Sequence, residues 1–232
     1  VIIFTTFKEY DWRVNNAAIS WVRMEAVITT YEDSDRDIVR NESDTPILPD
    51  LFAKVERNHK DEELFAYVNS DIILFPDFAE ALEVLDKLLP KFLMVGRRWN
   101  WQRPRPLKLD DLDRNKDMFV REVMRHGKLF NPATDYFGFR RGTFDYDEWP
   151  KFAIGRYYWD AWIWWHALQE GIPVVDCTQA VLAVHQNHPP AHRAWSAEGE
   201  INRGMAQDVI DAGIDLDDMP YYLTQDLRIV ER

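Results

Sequence analysis

Two short polar stretches carry the residue types that chemistry needs. Asn69-Ser70-Asp71 lies between the apolar runs Leu64–Val68 and Ile72–Phe75. His185-Gln186-Asn187-His188 follows the apolar run Val181–Val184, with His192 four residues further on. A carboxylate and an imidazole brought together can hold a divalent cation, and a cation can offset the charge of a phosphorylated ligand. Each stretch also fits a simpler role. Asx side chains bond local backbone in turns, and histidines sit in hydrogen-bonded loops. The histidine spacing, ahead of Pro189-Pro190, does not suit a helical HExxH site, and no cysteine cluster accompanies it.

A third candidate is Asp160, the one carboxylate within Gly155–Trp165 (GRYYWDAWIWW), a segment holding four of the ten tryptophans. Large apolar neighbours raise a carboxyl group's pKa toward neutrality, as a general base requires, whereas a helix amino end lowers it. The same residue also fits the N-cap of the helix that follows. Most of the tryptophans read as core, with Tyr158 and Trp159 placed where a sugar ring could stack.

Composition narrows the function classes. The chain has 232 residues and a net charge of −12, with 46% hydrophobic and 14% aromatic content. Such acidity repels phosphate backbones and argues against nucleic acid as a partner. No apolar run reaches the ~18 residues of a membrane-spanning helix. GxGxxG and GxxxxGK[ST] are both absent, so a backbone phosphate cradle is not the device here. The single Cys177 excludes an internal disulfide framework and fits a reducing, cytoplasmic setting.

These residues need elements to position them. Strands are expected at Val1–Thr6, Glu25–Thr30, Leu64–Val68, Ile72–Phe75, Phe92–Val95, Tyr136–Arg140 and Ile172–Asp176. Helices are expected from Val14, at Ile47–Val55, from Pro76-Asp77 with an Asp77/Glu80 capping box, at Leu112–Met124, at Trp159–Leu168 and at Ile201–Ala212. The alternation predicts an α/β fold with a mostly parallel sheet flanked by helices. Ligands of such sheets bind at the carboxyl ends of the strands. No repeat or linker divides the chain, so one domain is expected. Asp110, Asp111 and Asp113, and likewise Asp215, Asp217 and Asp218, read as solvated charges at helix starts.

An apolar strand, an Asp-ending triplet and then Ile-Ile-Leu resembles the DxD element of GT-A glycosyltransferases, which use nucleotide sugars. FLMVGRRW (Phe92–Trp99), FAIGRYYWDAW (Phe152–Trp162) and PVVDCTQAVLAVHQNH (Pro173–His188) are similar to a GT-A subgroup that includes enzymes of algal-virus capsid glycan synthesis. The likeness covers most of residues 1–200. It implies a GT-A-like, Rossmann-like domain over 1–232, with a nucleotide-binding half (1–95), an acceptor and catalytic half (96–198) and a helical tail (199–232). It further implies Mn²⁺ or Mg²⁺ on Asp71 and His185, with His188 in reserve, and Asp160 as base. Thr5, Thr6, Phe7, Arg40, Asn41, Asn69, Ser70 and Arg97 would meet the nucleotide sugar. Of the pair Arg97-Arg98, either could face diphosphate or sugar. Arg156, Tyr158 and Trp159 would meet the acceptor or sugar. The implied partners are a UDP-sugar donor and a glycan or glycoconjugate acceptor. Asn69 departs from the pattern, since many members carry Asp there, which leaves Asp71 as the principal carboxylate.

Two other classes share some of these features. A metal-dependent phosphoesterase also uses Asp, Asn and His, but with more converging carboxylates. A non-catalytic carbohydrate-binding module would suit the tryptophans but not the alternating helices.

Overall fold

The computed structural model describes residues 1–7, 9–32, 35, 37–101, 116–187 and 196–232, with side chains at 116, 132 and 133 left aside. His188, the acidic residues at 110, 111 and 113, and the expected helix start at 112–115 lie outside the described residues.

One mixed sheet organises the chain, in the order β10-β9-β7-β5-β6-β3-β1-β2. Its strands are β1 (Ile2–Phe7), β2 (Val27–Glu32), β3 (Leu64–Val68), β5 (Leu93–Trp101), β6 (Lys128–Arg140), β7 (Val174–Asp176), β9 (Tyr221–Leu223) and β10 (Ile229–Glu231). The short β4 (Ile72–Ile73) pairs with β8 (Ala183–Gln186), which also pairs with β5. β1 lies parallel to β2 and β3, and β7 lies parallel to β5 and β9. β6 runs antiparallel to both β3 and β5 and inserts between the two parallel groups. The sheet is therefore mixed, not the mostly parallel one expected.

Helices cover both faces, which explains why the inner strand β3 and the start of β1 are apolar on both sides, whereas the edge strand β2 stays largely exposed. Along β1, Ile2 and Phe4 face α2 (Leu48–Asn58) and α5 (Trp159–Gln169), whereas Ile3 faces α1 (Trp12–Val22) and α3 (Pro76–Leu88). A third cluster joins β4 and β8 to α4 (Lys116–His126) through Ile73, Val184, Phe119 and Val123. α6 (Ala197–Met205) and α7 (Gln207–Ala212) follow.

Three local expectations are corrected. The end of the chain is not a helical tail, because β9 and β10 return to the sheet beside β7. α3 has Phe75 as N-cap without a side-chain cap bond, so there is no Asp77/Glu80 box. Asp77 Oδ2 instead accepts the Leu182 amide at 3.2 Å, tying α3 to the segment before β8. The strand expected at Tyr136–Arg140 is the end of the thirteen-residue β6, in whose first half Leu129 and Phe130 are followed by the interrupting Asn131 and Pro132, so no continuous apolar run marks it.

Candidate functional site

The Asn-Ser-Asp triplet is a turn between β3 and β4, closed by Ile72 N–H donating to Asn69 O at 3.1 Å. β4 is antiparallel to β8, and Ile72 pairs with His185. That register places His185 beside Asp71, with Nε2 3.1 Å from Oδ2. Both side chains are mostly buried. The other ring nitrogen, Nδ1, lies 3.0 Å from Asn187 Oδ1, which accepts its proton and sets the tautomer. Nε2 then either donates a second proton to Asp71 or turns a lone pair toward its carboxyl group, an arrangement that a shared proton or a bound cation satisfies equally. Gln186 buttresses the turn: its Nε2 donates to Asp71 O and Arg13 O, both at 3.1 Å, while its Oε1 accepts from Asn16 Nδ2 at 3.0 Å.

The donor set fits a small divalent ion. Adjacent ligands on an octahedral ion at ~2.1 Å lie about 3 Å apart, close to the spacing of this pair. Imidazole with carboxylate suits Mn²⁺ better than Ca²⁺. Among the described residues no group of three His, Cys, Asp or Glu side chains converges on one point. Asp71 and His185 would supply a minority of the ligands, with the remainder coming from substrate or water.

Asn69 faces a different partner. Its Nδ2 donates to Asp135 Oδ1 at 2.6 Å, and Arg98 Nη1 donates to the same oxygen at 2.5 Å. Asp135 is 2% exposed, and its Oδ2 has no hydrogen-bond partner. A carboxylate at position 69 would stand against this buried charge, whereas an amide bonds to it. The amide at position 69 thus has a local reason in its bond to Asp135. The sequence reading missed Asp135, although a carboxylate just ahead of an apolar strand end was visible there.

Asp160 occupies the first turn of α5, not its N-cap. Tyr158 is the cap, in a left-handed conformation with φ 76°. The Asp160 carboxyl is pushed up to about 6, chiefly by burial and further by the charge of Asp135. The Ala161 amide and Arg98 oppose that shift. Trp159 is core: it is 5% exposed and packs edge-on against Tyr67 at 5.4 Å and tilted against Phe137 at 5.3 Å. Tyr158 is half-buried, and the exposed ring beside it is Tyr157.

At the end of β1, Thr5 is buried with an unpartnered hydroxyl, and Thr6 Oγ1 lies 3.4 Å from Tyr67 Oη. Burial, opposed by the Thr6 bond and reinforced by Asp135 and Asp71, pushes the Tyr67 hydroxyl to about 12. Phe7 meets Tyr10 edge-on at 5.6 Å.

Other expected residues are engaged elsewhere. Arg97 is 6% exposed, with Nη1 on Asp217 at 2.9 Å and Nη2 3.8 Å from Asp215. It anchors the segment before β9; Asp215 and Asp217 are exposed charges at a helix start, as expected, with Asp215 capping the 3₁₀ turn Leu216–Asp218, and they also pair with Arg97. Arg40 Nη1 donates to Asp44 O at 2.7 Å. Asn41 and Arg156 meet on Glu198 of α6, at 2.7 Å and 2.5 Å. Burial raises the Glu198 carboxyl, but bonds from Asn41, Thr45 and Arg156 outweigh it and hold the group below its ordinary value. A separate cavity of about 580 Å³, lined by Glu56, Arg57, Lys60, Arg141 and Tyr146 among others, contains none of the expected site residues.

No family profile matches the chain, and no curated protein matches it. Among solved structures, it is similar to one described as the crystal structure of A197 from STIV, at 10% identity and a TM-score of 0.43, over 100% of this chain and 93% of that one. Among the described residues, no helix is long and apolar enough to cross a membrane.

Proposed function

We propose that the protein is a glycosyltransferase that moves a sugar from a UDP-sugar to an acceptor hydroxyl and uses Mn²⁺ or Mg²⁺. The observation that carries this reading is the 3.1 Å approach of Asp71 and His185, two residues remote in sequence, where the β3–β4 turn meets β8. A bound divalent ion would offset the charge of the diphosphate as it leaves. Asp71 and His185 would hold it, and Asn187 keeps the imidazole in one tautomer. Asp160, with its carboxyl near 6, takes the proton of the acceptor hydroxyl as general base. Thr5, Thr6 and Phe7 at the end of β1 would meet the nucleotide, beside Arg40, whose Nη2 donates to Glu32 O opposite Phe7, and Tyr158 would meet the acceptor. Correct placement of donor and acceptor supplies much of the rate.

The absence of three converging carboxylates among the described residues counts against a phosphoesterase. The test is turnover of a panel of UDP-sugars with Mn²⁺. A transferase yields UDP, a phosphoesterase yields sugar phosphate, and a binding module yields neither.

A further inference from the structure

β5 does not run evenly past β6. Its register shifts between Val95 and Arg97 and again between Arg97 and Arg98. Bulges of this kind break strict alternation and re-aim side chains, and they recur beside functional sites. Gly96 sits within the irregularity, where a Cβ would lie 1.8 Å from Tyr136 Oη, so only glycine fits. The outcome is two consecutive arginines with different tasks. Arg97 turns to Asp217, and Arg98 turns to Asp135.

Arg98 is held on three sides. Nη1 donates to Asp135 at 2.5 Å, Nε donates to Asn100 Oδ1 at 2.9 Å, and the guanidinium carbon lies 5.0 Å from the centre of the Phe130 ring. Its Nη2 donates to no acceptor among the described residues and is not one of the buried unpartnered atoms, unlike Nη2 of Arg97. Asp135 retains an unpartnered Oδ2, a cost that packing alone does not explain. The pair stands between the two groups already described. Asn69, two residues from Asp71, shares the Asp135 oxygen, and the Arg98 charge acts on Asp160.

We propose that Arg98, oriented by Asp135, is the subsite for hydroxyl groups of the transferred sugar, an inference that rests on the transferase reading. Asp135 already offsets the Arg98 charge, so the pair suits neutral hydroxyls better than phosphate oxygens. A hydroxyl can accept from the guanidinium while remaining free to donate elsewhere. Asp135 is a positioning residue here, acting through Arg98.

The test compares affinity for UDP with affinity for UDP-glucose and UDP-galactose, all with Mn²⁺, in the unaltered protein and in Arg98→Gln. A charge-neutral double variant, Arg98→Gln with Asp135→Asn, serves if the single one leaves Asp135 uncompensated and fails to fold. The expected result is UDP affinity within about threefold of the unaltered protein and a loss of at least ~10-fold for a UDP-sugar, the scale of one hydrogen bond to a charged group. Equal losses for UDP and UDP-sugar would place Arg98 on the diphosphate and overturn the subsite while leaving the transferase reading intact. Unchanged affinity for all three ligands would make the pair structural and overturn it as well. If the unaltered protein binds no UDP with Mn²⁺, the transferase reading itself falls, and the subsite with it.

Discussion

His185 Nε2 stands 3.1 Å from Asp71 Oδ2 because β8 pairs with β4 in a register that sets His185 against Ile72. A shift of that register by one residue would turn the imidazole to the other face of the hairpin and dissolve the pair. On the transferase reading proposed above, nucleotide binding should depend on a divalent metal. UDP should raise the melting temperature with Mn²⁺ or Mg²⁺ and leave it unchanged in EDTA, since a ligand at ~100 times its Kd adds about 2.7 kcal/mol. Asp71→Ala should abolish the shift, and His185→Ala should weaken Mn²⁺ affinity at least ~10-fold. Differential scanning fluorimetry with and without chelator reads both, and equal stabilisation in EDTA would contradict the metal bridge.

Asp160 supplies a prediction with a pH axis. Its native carboxyl titrates near 6, above the ordinary value of 3.8. Between those values the unfolded chain loses the proton while the native state keeps it, so this group lowers stability as pH rises through that window. Above about 6 the penalty is complete. Asp160→Asn removes it, so the variant should gain stability relative to the unaltered protein between pH 4 and 6. Sugar transfer should rise with pH around 6 in the unaltered protein and fall ~10²-fold or more in the variant, while UDP affinity holds. Normal turnover by Asp160→Asn would remove it from the chemistry.

Gly96 and Tyr136 form a second testable pair. Gly96→Ala drives a methyl group into the Tyr136 ring and hydroxyl, where contacts of 1.8 and 2.7 Å leave no room. Overpacking of this kind costs about 1–3 kcal/mol. Tyr136→Phe alone should be close to neutral, because the buried hydroxyl it removes has no partner. Combined with Gly96→Ala it should recover part of the loss. Urea denaturation of the three variants gives the answer, and strict additivity would show that the clash lies elsewhere.

Arg97 should behave unlike its neighbour. Arg97→Met breaks the contacts to Asp217 and Asp215 that hold the segment before β9. Lower stability with unchanged UDP affinity is the expected outcome. Protease nicking near residues 213–220 and a UDP titration separate the two effects. A large loss of UDP affinity in a stable variant would return Arg97 to the nucleotide site.

Much of this arrangement is legible along the chain. Apolar runs mark β1, β3, the buried half of β5 and α5, because burial of both sheet faces demands continuous hydrophobicity. The triplet after β3 and the histidine after Val181–Val184 stand out as polar interruptions of such runs. Asp160 stands out for the opposite reason, as a lone charge among aromatic rings. Other features depend on distant partners. Nothing local says that β6 runs antiparallel between two parallel groups, or that β9 and β10 rejoin the sheet, since pairing partners of short strands are chosen by the space left beside β7. The bulge in β5 decides that Arg98 and not Arg97 reaches Asp135, a choice invisible in two adjacent arginines. Asp135 itself is an ordinary acid until the fold buries it against Asn69 and Arg98. Residue type along the chain determined which groups can do chemistry. Strand register and burial decided which of them meet, because an amide or an ion pair takes its role from whatever the sheet brings within 3 Å of it.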